Sequence, residues 1–154
     1  MSRKWVTAER YVKVEYSSFV VQDFHEDDER ASPPVGESGG LAAGTRSVRV
    51  MSLLPDHDVE VVVESWDAEP PAAGSDGELL VGEESMESQY GVVLLQQWQG
   101  ELPGGPIALG MPGRYRLRVW RTTTFAPAER GRVAYSGVTE GLESYRIQAW
   151  PEAE

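Results

Sequence analysis

The feature that most constrains this chain is a side-chain alternation of period two, which returns along its length between clusters of glycine, proline, serine and aspartate. Successive side chains of a strand point to opposite faces, so this pattern puts one set in a core and the other outside it. Over residues 10–16, Tyr11, Lys13 and Glu15 oppose Val12, Val14 and Tyr16. Ser17 and Ser18 break that run, and residues 19–24 continue it. Residues 46–51 form another short run, and Val59, Val61 and Val63 oppose Glu60 and Glu64. Tyr115, Leu117 and Val119 alternate with Arg114, Arg116 and Arg118, while Tyr145, Ile147 and Ala149 alternate with Arg146, Gln148 and Trp150. Residues 91–98 are almost continuously apolar, as in a central strand covered on both faces. Weaker strand signals lie at 78–81 and 132–136.

The connections at 25–44, 69–77, 100–112 and 126–131 carry turn chemistry. The spacing predicts an all-β fold: a single antiparallel β-sandwich of jelly-roll type with at least six strands. Helix is expected only as a turn or two near 41–43. With 154 residues and 40% apolar side chains, the chain fills one core, so residues 1–154 are expected to form one domain. The acidic, Gly- and Pro-rich segment at about 25–40 is expected to be a mobile loop.

Net charge is −11, and its placement says more than its size. No Lys or Arg occurs between Arg49 and Arg114, a stretch that holds Asp56, Asp58, Glu60, Glu64, Asp67, Glu69, Asp76, Glu78, Glu83, Glu84, Glu87 and Glu101. Nucleic-acid binding is disfavoured, because neutralising phosphates takes clustered cations. A basic protein partner fits instead, and solubility alone is the plain alternative. With no cysteine there is neither a disulfide nor a thiolate metal site, in keeping with a cytoplasmic, reducing setting. No apolar run is long enough to span a bilayer and no secretory leader is evident, so no membrane role is expected.

Several patterns match chemistry by letter only. Gly36-Glu37-Ser38-Gly39-Gly40 has the spelling of a nucleophile elbow, but Pro33-Pro34 precedes it and no helical pattern follows. The glycines at 39–44 have phosphate-loop spacing without the lysine that reaches the phosphate. His25-Glu26-Asp27-Asp28-Glu29 lacks the alternating, Gly-punctuated ligands of a calcium loop. His25 and His57 each stand beside acids, but no nucleophile is marked out for either. No enzymatic activity, cofactor or metal is therefore expected. Arg114, Arg116, Arg118 and Trp120 share one strand face, which could hold an acidic or planar ligand. Cross-strand pairing with Glu60 and Glu64 accounts for that face more simply.

The order of features resembles the ComJ family, competence-type bacterial inhibitors of a DNA-entry nuclease. An early Trp5 precedes Val12-Lys13-Val14-Glu15-Tyr16-Ser17-Ser18-Phe19-Val20-Val21, which resembles that family's strand ending in Tyr-x-x-Phe. Gly40 to Ala43, residues 91–98 and the terminal run at 145–150 follow in the family's order. Met111-Pro112-Gly113-Arg114-Tyr115-Arg116-Leu117-Arg118-Val119-Trp120 resembles Pro-x-Gly-x-Tyr-x-Leu-x-x-Trp. The Arg-rich face and the Pro-rich inserts depart from the pattern. The resemblance implies a β-sandwich that binds and silences a nuclease.

Charge and resemblance together lead to the expectation of an acidic protein-binding module. Asp56, Asp58, Glu60, Glu64, Asp67 and Glu69 are its candidate charges, and Trp66 and Trp98 its candidate aromatic anchors. The alternatives are a small-ligand or carbohydrate-binding sandwich using Trp120 and Trp150, or a structural subunit.

Overall fold

The computed structural model describes residues 2–24, 35–97 and 103–153. Among these residues, ten strands form two five-stranded sheets. The first sheet has β1 (Lys4–Val14), β5 (His57–Trp66), β10 (Glu143–Pro151), β9 (Gly113–Thr123) and β6 (Glu78–Ser88) side by side in that order. The second has β3 (Leu41–Ala43), β4 (Ser47–Met51), β2 (Ser18–Asp23), β7 (Val92–Gln96) and β8 (Ile107–Ala108). The all-β expectation is met. One pairing departs from a wholly antiparallel arrangement: β10 runs parallel to β5, with Tyr145 opposite Val61 and Ile147 opposite Val63.

The alternation read from the sequence sets the register. Val12 and Val14 of β1, Val59, Val61 and Val63 of β5, Tyr115, Leu117 and Val119 of β9, and Tyr145, Ile147 and Ala149 of β10 all point inward. They meet Phe19, Val21, Val48, Val50, Val93 and Leu95 of the second sheet in one core. Phe19 and Tyr145 join the sheets edge to face, with ring centroids 5.3 Å apart. Burying each such side chain contributes roughly 1.5–3 kcal/mol, so a one-residue slip of any inner strand is prohibitive.

Two local expectations are corrected. Residues 41–43 are strand β3, pairing with Arg49 and its neighbours, and not a helical turn. Residues 132–136 are not a strand: Pro127–Glu129 make a 3-10 turn that runs into helix α1 (Arg130–Ala134). Pro127 presets the helical φ there, and the Glu129 carboxylate accepts from the Ala126 amide at 3.2 Å. The run at 91–98 is a central strand over Val92–Gln96, flanked by β2 and β8. Gly91 opens it at a positive φ of 69°, where a Cβ would stand 1.9 Å from the Gly110 carbonyl oxygen.

Candidate protein-binding site

The outer face of the first sheet is where the charged residues gather, and it divides in two. Over most of it, acids and bases saturate one another. Arg118 is 1% exposed. Its guanidinium donates to Glu83 at 2.9 Å, to Glu69 at 3.0 Å and to the Pro70 carbonyl at 3.1 Å, and lies 4.8 Å from the centroid of Trp150. Arg116 donates to Glu83 and Ser85, and Arg114 to Glu152. Arg146 forks onto both oxygens of Glu78 at 2.9 Å each and stacks over Trp120. That fork outweighs the upward push of burial and holds the Glu78 carboxyl below its ordinary range.

The connection at 67–77 lies across this lattice. Pro70 is buried, and a Cβ on Gly74 would stand 2.7 Å from the Trp120 ring. Trp120 and Trp150 are consequently buried, and the ligand-binding alternative loses its aromatic platform. The arginine face is structural, as cross-strand pairing suggested, but its partners sit on β6, on the 67–77 connection and at Glu152 just past β10, and not on β5.

The other half of the face is different. Where β1, β5, β10 and β9 run side by side at the His57 end, a groove of about 460 Å³ is lined by Tyr11, Asp58, Val59, Glu60, Thr122, Thr124, Glu140, Gly141, Glu143 and Ser144. Register explains the gathering: Tyr11 pairs with Glu60, Ser144 with Glu60 from the other side, and Thr122 with Ser144. Among the described residues, no Lys or Arg lines the groove. Asp58, Glu60 and Glu140 form no ion pair or side-chain hydrogen bond with any described residue. Lys13 sits opposite Asp58 on β1 and makes no ion pair with it.

Beneath the groove floor lies a buried polar cluster. Ser52 Oγ donates to Glu143 Oε1 at 2.5 Å and stands 2.9 Å from His57 Nε2, which is itself 3.2 Å from the same carboxylate oxygen. Tyr145 Oη donates to Glu143 Oε1 at 3.0 Å and the Leu53 amide to Oε2 at 3.1 Å. Burial pushes the Glu143 carboxyl up, but the hydrogen bonds from His57, Ser52 and Leu53 outweigh it and the net shift is downward. Burial and the adjacent Glu143 carboxylate push the Tyr145 hydroxyl up, so it stays a donor. The residue types are those of a Ser-His-acid relay, but the geometry is not. A relay puts serine and acid on different ring nitrogens, whereas here both meet Nε2, and Nδ1 has no partner among the described residues. Ser52, His57 and Glu143 are all buried, and the cluster ties the β4–β5 connection to the start of β10.

The candidate residues from the sequence are dispersed. Asp58 and Glu60 line the groove, and Asp56 is exposed beside it. Glu64 is 7% exposed and takes hydrogen bonds or ion pairs from Lys4, Trp66, Arg146 and Gln148, which makes it part of the lattice. Trp66 is half-buried with its Nε1–H on Glu64. Asp67 accepts from the Arg3 amide at 2.6 Å and Glu69 pairs with Arg118, both at the far end of β5. From Glu60 on the groove to Asp67 the strand covers seven residues, roughly 23 Å. Trp98, and the acidic run at 25–29, lie outside the described residues. Tyr11 and Glu140 were not singled out from the sequence. The period-two pattern did put Tyr11 on the outer face, while nothing marked Glu140.

The geometry defines a two-sheet β protein with an acidic, tyrosine-walled groove. No protein-family model matches the chain, and no curated protein does. The chain is similar in fold to the crystal structure of ComJ, inhibitor of the DNA degrading activity of NucA, from Bacillus subtilis, with a TM-score of 0.58 at 14% identity over 99% of each chain. It also aligns with a structure described as crocagin biosynthetic gene J, at a TM-score of 0.48 and 13% identity over 99% of each chain.

Proposed function

We propose that this chain is an acidic protein-binding module that inhibits a nuclease or another basic enzyme by docking its groove on that enzyme's cationic cleft. One observation carries the reading: on a face where Glu64, Glu69, Glu78 and Glu83 are paired with arginines, Asp58, Glu60 and Glu140 gather around a groove and form no ion pair with any described residue. A nuclease cleft is cationic because it holds phosphates, and an acidic surface of matching outline occupies it as a phosphate mimic. The fold likeness to ComJ agrees with this reading.

The test uses NucA, the enzyme that ComJ inhibits, as probe. The chain is expected to slow digestion of plasmid DNA by NucA in proportion to its concentration. The variant D58N/E60Q/E140Q, at unchanged thermal stability, is expected to inhibit at least about tenfold less well. Digestion that proceeds unchanged at a large excess of the chain, with no complex detected, contradicts the proposal.

A further inference from the structure

Strands β9 and β10 lie side by side and antiparallel, and their pairing runs to Thr123 opposite Glu143. A turn of about two to five residues is enough to join such a pair. Here residues 124–142 make the connection, and none of them is buried. The 3-10 turn and helix α1 within it bury no side chain, and no residue of it belongs to the core. A connection of this length that adds nothing to the core is kept for what it presents.

The connection is nonetheless fixed in place. Thr124 Oγ donates to the Gly141 carbonyl at 2.8 Å, and the Asp58 amide donates to the Thr139 carbonyl at 2.7 Å, which ties its return to β5 at the groove. Arg130 donates to the Leu53 carbonyl at 2.7 Å and to Ser38 Oγ at 2.5 Å, and Arg132 pairs with Glu129. Both of its cations are thereby engaged, while Glu140, on the groove wall, forms no ion pair with any described residue. What the connection holds out is apolar. Tyr135, 92% exposed, is the most exposed large hydrophobic side chain among the described residues, and Val138 is 51% exposed. The Tyr135 side chain makes no hydrogen bond, ion pair or ring contact with any described residue. It precedes Thr139 by four residues, at most about 14 Å of chain from the point where the connection is tied beside the groove.

We infer that the β9–β10 connection is the arm by which the groove holds its partner, with Tyr135 as the aromatic anchor and Val138 as a second apolar contact. The inference rests on the functional reading above and deepens it. The partner is the cationic protein that the groove receives: Asp58, Glu60 and Glu140 lie at the root of the arm, so arginines and lysines drawn to them come within reach of Tyr135. A phenol ring suits such a surface, because its face attracts guanidinium and ammonium groups and packs on their aliphatic stems. Trp66 does not serve in its place, being half-buried with its indole N–H on Glu64. The groove carboxylates set the rate of encounter, while the arm sets how long the complex lasts.

The experiment compares Tyr135→Ala, Tyr135→Phe and Met111→Ala by thermal unfolding and by dissociation kinetics of the complex with NucA, with D58N/E60Q/E140Q as the groove control. Met111 is 78% exposed just before β9, at the end of the first sheet away from the groove, and serves as the apolar control. Tyr135→Ala is expected to keep Tm within about 2 °C and to speed dissociation at least about tenfold. Tyr135→Phe is expected to dissociate within about threefold of the unaltered chain, since the ring face supplies the contact, and Met111→Ala to dissociate as the unaltered chain does. A larger fall in Tm for Tyr135→Ala overturns the inference, because the ring then serves the fold. Dissociation of Tyr135→Ala that is unchanged, or matched by Met111→Ala, with association still slowed in the groove control, overturns it as well and leaves the functional reading standing. If the unaltered chain does not bind NucA, the functional reading has failed and the inference falls with it.

Discussion

Glu143 is a carboxylate carried into the core, and it is tolerable there because Ser52, His57, Leu53 and Tyr145 all direct polar atoms at it. Removing the charge while keeping the shape leaves those donors facing an amide. Glu143→Gln is therefore expected to cost about 3–5 kcal/mol in urea unfolding at neutral pH. The sign of the pH dependence follows from its lowered pKa. A carboxyl depressed in the folded state contributes stability that is fully present above its unfolded value, about 4.3, and that is lost as pH falls through the folded value. The gap between the unaltered chain and Glu143→Gln should thus be widest at neutral pH and narrow below about pH 4; a gap that widens on acidification contradicts this account. Little of the cluster was legible in the sequence. His57 stands between Asp56 and Asp58, but the acid it meets is Glu143, and Ser52 and Glu143 are 91 residues apart. Only the parallel placement of β10 beside β5 brings them together, and local charge patterning carries no trace of that pairing.

At the scale of elements, the strap at 67–77 decides what the arginine strand can do. Gly74 is the point of closest approach, so Gly74→Val should push the strap off Trp120. The expected cost is about 1–3 kcal/mol, with a rise in the fluorescence change on iodide quenching as Trp120 is uncovered. Arg118→Ala should cost more, about 3–5 kcal/mol, because it removes a buried guanidinium and leaves half-buried Glu83 and the Pro70 carbonyl short of a donor. Arg118→Ala behaving like an exposed-arginine substitution such as Arg132→Ala would refute the structural role of this face. The alternation at 114–120 was readable because period two on a strand has one physical meaning, and its inward set is the inward set seen. The acids that pair with it were not readable, since any strand bearing glutamates satisfies the same charge rule and an aperiodic connection supplies part of the cover. Residues 41–43 and 132–136 were misread for a related reason: segments of three to five residues are too short for periodicity to outweigh tertiary contacts.

Over the whole molecule, the acidic middle third is not one surface. Strand β5 carries it from the groove end, where Asp58 and Glu60 are unpaired, to the far end, where Asp67 and Glu69 are engaged. Part of the charge excess read from the sequence stands unpaired at the groove and sets up a negative field there, while Glu64, Glu69, Glu78, Glu83 and Glu87 are held in ion pairs. Steering by that field fades as salt rises, since exposed charges are screened over about 10 Å at 0.1 M salt. The most direct test is the association rate of the chain with the nuclease of the inhibition assay, measured by stopped flow at low and at physiological salt, for the unaltered chain, for D58N/E60Q/E140Q and for Asp67→Asn. The account predicts that association slows steeply with salt, that the groove variant is slowed about tenfold at low salt and loses most of its salt dependence, and that Asp67→Asn behaves as the unaltered chain. Association indifferent to salt and to the groove substitutions, or slowed as much by Asp67→Asn as by the groove variant, would contradict it.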